Sequence, residues 1–127
     1  EAYWFQLWKL KAPQKIKVFA WLVLHDSLMT NLNRTRRGLT DNPFCVACET
    51  DYEDVDHVLR TSPRANAIWR YFASVNLSKK GSTADFHSWF LLNLKDNEQE
   101  ELWPTKFLII LWYIWKWRND VCFDRNA

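Results

Sequence analysis

The stretch Pro63-Arg64-Ala65-Asn66-Ala67-Ile68-Trp69-Arg70-Tyr71-Phe72 decides how the chain folds. Ala65, Ile68, Trp69 and Phe72 recur at i, i+3, i+4 and i+7, the stripe of a helix that buries one face. Pro63 suits the first turn of such a helix, where its missing N–H costs nothing. The same spacing extends outward in both directions. Towards the N-terminus, Tyr3, Trp4, Leu7 and Trp8 mark a short amphipathic helix, broken at Ala12-Pro13. Pro13 opens a second helix that should run to about Leu28 through Ile16, Val18, Phe19, Trp21, Leu22 and Leu24. Its wide apolar arc places it at the centre of the core. Thr30 or Asn31 caps a third short helix, which Gly38 ends in a left-handed conformation. Towards the C-terminus, residues 76–82 are a polar linker. Ser82 with Asp85 resembles a capping box for a helix bearing Phe86, Trp89 and Phe90. Residues 96–101 form an acidic connection, and a last helix runs from near Pro104 to about Asp120. The pattern predicts an all-α fold, a compact helical bundle of about six helices with a small knuckle-like loop. It reads as one domain over 1–127: N-terminal helices in 1–40, the knuckle in 41–62 and C-terminal helices in 63–127.

Composition narrows the field. The chain has 127 residues, of which 48% are apolar and 25% charged, and this excludes global disorder. Nine Trp over-supply a small core, so part of this aromatic area is expected to face a partner. Two glycines, Gly38 and Gly81, argue against a phosphate-cradling loop or a dinucleotide-binding turn. The longest apolar run is Phe107 to Trp115, between Lys106 and Lys116. A membrane helix needs about 17–25 residues, so no membrane span is expected. Three cysteines and no signal pattern fit an intracellular protein of the nucleus or cytoplasm. The start at Glu1 reads as a domain cut from a longer protein. Charge alternates in blocks: residues 1–40 and 61–80 are basic, while 41–60 and 81–101 are acidic. Such blocks can make a basic face on a chain whose net charge is only +2.

Cys45-Val46-Ala47-Cys48 puts two thiols on one tight turn, which is half of a tetrahedral zinc site. His57, eight residues beyond Cys48 counting between them, supplies an imidazole as a third ligand. A fourth ligand is expected about one helical turn later, and the residue there is Ser62. A serine hydroxyl stays protonated at neutral pH and is a poor zinc ligand. The competing reading is two buried small residues and a solvent-facing histidine. Cys122 stands alone near the C-terminus and reads as a packed small residue.

Three blocks of residues carry a resemblance. The first is Leu7-Trp8-Lys9-Leu10-Lys11-Ala12-Pro13-Gln14-Lys15-Ile16-Lys17-Val18-Phe19-Ala20-Trp21, then His25, Leu28, Thr30 and Arg37-Gly38. The second is Cys45-x-x-Cys48, Asp56-His57-Val58-Leu59, Pro63-Arg64-Ala65 and Ile68-Trp69. The third is Trp115-Lys116-Trp117-Arg118-Asn119-Asp120. Together they resemble the plant reverse-transcriptase zinc-binding domain of LINE-type, non-LTR retrotransposons and of host genes derived from them. The third block is similar to the segment leading into a ribonuclease H domain. The resemblance implies a Cys-Cys-His-Cys ligand set. Cys45, Cys48 and His57 match the first three positions, and the fourth falls on Ser62. Zinc is therefore expected to bind weakly or not at all. Water, a nearby carboxylate such as Asp54, or His25 could complete the set, although His25 is expected to make a core hydrogen bond instead.

No paired-aspartate polymerase signature, P-loop, H-E-x-x-H or nucleophile elbow is present, so the chain reads as a non-enzyme. The resemblance implies an accessory module between reverse transcriptase and ribonuclease H. RNA or single-stranded DNA would be held by Arg34, Arg36, Arg37, Arg60, Arg64, Arg70, Lys79 and Lys80, with an exposed aromatic stacking on a base. The alternative is a domesticated protein-interaction module of a host plant protein, using a Trp-rich surface that includes Phe107–Trp115.

Overall fold

The computed structural model describes residues 7–74, 84–95 and 102–123. Residues 7–9 are helical and lead to α1 (Gln14–Leu24), α2 (Asn31–Arg36), a π-helical turn (His57–Thr61), α3 (Pro63–Ser74), α4 (Phe86–Leu94) and α5 (Trp103–Phe123). The fold is all-α. Among the described residues the one β feature is an isolated antiparallel bridge between Phe44 and Tyr52. Tyr3, Trp4, the linker 76–82 with Lys79 and Lys80, and the connection 96–101 lie outside the described residues.

The local rules explain the boundaries. Pro13 precedes α1 as its cap rather than entering its first turn, and its carbonyl accepts from Ile16 and Lys17. α1 stops at Leu24, four residues before the expected Leu28. Asp26 turns the chain with φ +50°. The buried Asn33 amide then catches the freed carbonyls of Asp26 (3.1 Å) and Leu28 (2.8 Å). This side-chain substitute for helical hydrogen bonding cannot be read from apolar spacing. Thr30, not Asn31, caps α2 through the Asn33 N–H. Gly38 closes α2 at φ +74°, with Leu39 N–H donating to Arg34 and Gly38 N–H to Thr35, a Schellman motif. Asp85 caps α4 by accepting from Ser88 N–H. This corrects the expected box, in which Ser82 held the cap position; Ser82 itself is outside the described residues.

α5 is the central helix and packs on α1, α4 and the π-helical turn. It buries Trp103, Phe107, Leu108, Leu111 and Ile114. α1, expected at the centre, exposes Val18 and Trp21 to solvent and buries Ile16, Phe19, Ala20 and Val23. Three indoles form much of the core. Trp69 meets Trp89 edge-on at 5.2 Å and Phe107 at 5.4 Å. Buried indole N–H groups need acceptors. Trp69 donates to the Leu59 carbonyl (2.7 Å) and Trp103 to Asn93 Oδ1 (2.9 Å).

Candidate metal centre

The knuckle begins as a narrow hairpin. Cys45 N–H donates to the Asp51 carbonyl (2.9 Å) and Glu53 N–H to the Pro43 carbonyl (2.8 Å). Phe44 and Tyr52 stack across it at 5.1 Å. Glu49 takes φ +61° and its N–H closes a turn onto the Cys45 carbonyl. Both thiols therefore sit on one tight turn, Cys45 buried and Cys48 half-buried.

The imidazole arrives by a different device. Asp54 Oδ1 accepts the His57 N–H (2.7 Å) and starts the turn that carries the ring. Pro63 disfavours helical geometry at Ser62, which is extended with φ −60° and ψ 156°. The turn therefore closes wide, with Ser62 N–H reaching the His57 carbonyl at 2.6 Å. Such π-helical turns recur at functional sites. The turn also frees the Leu59 carbonyl for Trp69.

The ligand atoms of Cys45, Cys48 and His57 all lie within 4.8 Å of one another. Cys48 Sγ is 3.5 Å from His57 Nε2. Zinc bonds of about 2.3 Å to sulfur and 2.0–2.1 Å to nitrogen, at a tetrahedral angle, put those atoms roughly 3.5 Å apart. The residues thus fit the metal at three positions. His57 Nδ1 is 3.2 Å from Thr61 Oγ1. With Nδ1–H donating to Thr61, Nε2 keeps its lone pair for a metal, a common outer-shell arrangement.

The thiols differ in character. The Thr50 backbone N–H lowers the Cys48 pKa to about 7, with further help from Asp51 N–H. Burial pushes the Cys45 thiol up. Neither expected substitute for the missing ligand is in position. Asp54 is engaged by the His57 N–H. His25 caps the end of α1 and packs on Trp21 at 4.1 Å. It is exposed, contrary to the expected core hydrogen bond. Ser62 is buried and caps α3: its hydroxyl accepts the Ala65 N–H and donates to the Val58 carbonyl, both at 3.3 Å. Cys122 and Cys45 line one small apolar cavity beneath the knuckle, together with Ser62 and Trp117.

A buried ion pair anchors the knuckle and was missed from sequence. Arg118 of α5 grips Glu53 bidentately, through Nε to Oε2 (3.0 Å) and Nη2 to Oε1. Glu53 Oε1 also accepts Asn31 N–H (2.7 Å), and Asn31 Nδ2 donates to the Phe44 carbonyl (2.8 Å). One carboxylate therefore joins α2, the knuckle and α5. The available signal was Arg118 itself, a charge one turn beyond Ile114 and two beyond Leu111 on the buried stripe of α5.

The candidate cations are dispersed. Arg34, Arg36 and Arg37 share the end of α2. Arg34 contacts Asn31 Oδ1 and the Phe123 ring, and Arg36 faces Asp26 at 3.9 Å. Arg37 is exposed. Arg60 is held internally by Asp56 and the Ala84 carbonyl. Arg64 sits over the Trp117 ring, 4.1 Å from its centre. Arg70 borders the groove lined by Cys48, Thr50, Asp51, His57 and Thr61.

An all-α domain with a two-thiol turn facing a helical histidine defines a class of protein: a helical module built around a zinc-knuckle-type site. Consistent with that class, the sequence pattern of the family described as zinc-binding in reverse transcriptase matches residues 1–69. The match takes in the whole knuckle, and the chain belongs to this family. Over 123 residues it is 33% identical to an Arabidopsis thaliana protein named "putative ribonuclease H protein", covering 95% of this chain and 20% of that one. The chain thus spans one-fifth of that relative's length. No solved structure matches the chain. Among the described residues, no helix is long and apolar enough to cross a membrane.

Proposed function

We propose that this chain is a non-catalytic accessory domain of retrotransposon origin. In this reading it binds one zinc ion through Cys45, Cys48 and His57, and holds RNA or single-stranded DNA beside the knuckle. The observation that carries the reading is the convergence of two thiols and one imidazole within 4.8 Å. Zinc serves here as a structural clamp that fixes the knuckle to the turn before α3. The engagement of Ser62 as a helix cap supports weaker binding than a site with a third thiolate gives. The helical core can fold without metal, since hydrophobic packing of a chain this long does not require a staple.

For nucleic acid, the groups best disposed are Arg70 at the knuckle groove, exposed Arg37, and Arg64, which places a cation beside an indole ring. Elemental analysis of protein purified without chelator should find zinc that dialysis against a mild chelator removes. Fluorescence anisotropy with labelled single-stranded RNA and DNA should show binding that falls steeply with salt, by roughly 0.7 in log–log slope per phosphate neutralised. No binding to either strand at low salt refutes the nucleic-acid role.

A second reading, a domesticated protein-docking module acting in the nucleus or cytoplasm, draws on another observation. A groove between α3 and α5 is lined by Ile68, Phe72, Ile109, Ile110 and Tyr113. Tyr113 is 66% exposed. Capture of partners from plant extract with and without nuclease separates the two readings.

A further inference from the structure

Two thiols and one imidazole leave one tetrahedral position without a protein donor. We propose that Asp51 fills it, so that this knuckle is a Cys-Cys-Asp-His site in which a carboxylate from the loop replaces the thiolate absent at position 62. The inference rests on the zinc reading above.

Asp51 Oδ2 lies 4.0 Å from Cys48 Sγ. Oxygen and sulfur donors on one tetrahedral zinc sit roughly 3.5 Å apart, given bonds of about 2.0–2.2 Å and 2.3 Å. The carboxylate is not itself among the atoms that lie within 4.8 Å of one another, so on binding metal its side chain would turn from Cys48 towards Cys45 and His57. Asp51 also lines the same groove as Cys48 and His57. Its backbone is already part of the site, because its carbonyl holds the Cys45 N–H. Its side chain is exposed and so can move without disturbing the core. Two of the neighbouring acids are engaged elsewhere. Glu53 is buried on Arg118, and Asp54 holds the turn that presents His57. Carboxylate oxygen is an established zinc donor, whereas a neutral hydroxyl is a poor one.

The test uses cobalt(II) as a spectroscopic stand-in for zinc, titrated into the whole chain and its variants. Wild type should give a tetrahedral visible spectrum that added azide leaves unchanged. Asp51→Asn should bind cobalt and zinc at least tenfold more weakly, and its cobalt spectrum should shift on adding azide. Asp41→Asn removes an equal charge from the same loop and should behave as wild type. In a Ser62→Cys background, where a thiolate supplies the fourth donor, Asp51→Asn should have no effect. This rescue distinguishes a lost ligand from a damaged fold. The inference is overturned if Asp51→Asn binds as wild type, if the wild-type spectrum responds to azide, or if Ser62→Cys fails to rescue. If wild type binds neither cobalt nor zinc, the zinc reading itself fails.

Discussion

Ser62→Cys separates the two duties of position 62, because its effects with and without metal have opposite signs. Without zinc, the substitution removes a hydroxyl that caps α3 through the Ala65 N–H and satisfies the Val58 carbonyl. Loss of such a cap costs about 1 kcal/mol. For a domain of this length that lowers the melting temperature by roughly 3–5 °C. With zinc, the new thiolate adds a strong donor. Small four-ligand zinc peptides bind with about 10–16 kcal/mol, so one ligand's share is about 2.5–4 kcal/mol, or roughly 60- to 700-fold in affinity. Displacement of a weaker carboxylate would put the gain at the lower end. At equal free zinc above the dissociation constant, a 100-fold gain adds about 2.7 kcal/mol of stability, more than the lost cap. Thermal melts in chelator and in buffered zinc, with affinities from competition against a chromogenic chelator, read both limbs. The reasoning is refuted if the variant binds zinc no more tightly than wild type. Unchanged stability in chelator refutes the capping role alone.

The remaining predictions concern the supports of the site. Arg118→Ala leaves the Glu53 carboxylate buried and unpaired, and should cost about 3–5 kcal/mol in urea unfolding; a loss under about 1 kcal/mol would show that the pair does not anchor the knuckle. Thr61→Val removes the hydroxyl facing His57 Nδ1 and should weaken zinc binding roughly 10-fold or more, with little change in apo stability. In chelator, Cys48 should gain thiolate as pH rises through about 7, so its alkylation rate, followed by peptide mass spectrometry, climbs there and then levels off. Cys45, whose pKa burial raises, should stay slow across that range, and equal rates for the two would contradict the assigned environments.

The limits of the sequence reading follow from where the physics is local and where it is not. The stripe Ala65, Ile68, Trp69 and Phe72 identified α3, because apolar spacing directly encodes a one-sided helix. Gly38 and the pair Thr30-Asn31, of which Thr30 is the cap, marked the ends of α2 for the same reason: capping is settled within a few residues. Failure began where a side chain satisfied distant backbone. Asn33 shortened α1 by catching two loop carbonyls, and no periodicity announces that. The relative depth of α1 and α5 was also hidden, since a wide apolar arc does not say which helix the others surround. At the candidate site, spacing brought out Cys45, Cys48 and His57, since two thiols on one turn are a short-range pattern. It did not bring out Glu53, Asn31 and Arg118, which meet across 22 to 87 residues. A charge on a buried stripe still carries a deduction. Burying a lone guanidinium is too costly to persist, so Arg118 implied a buried acid from another part of the chain. Residues 41–60 hold six of the chain's acids. Those two facts together tie the knuckle to the last helix by charge balance alone.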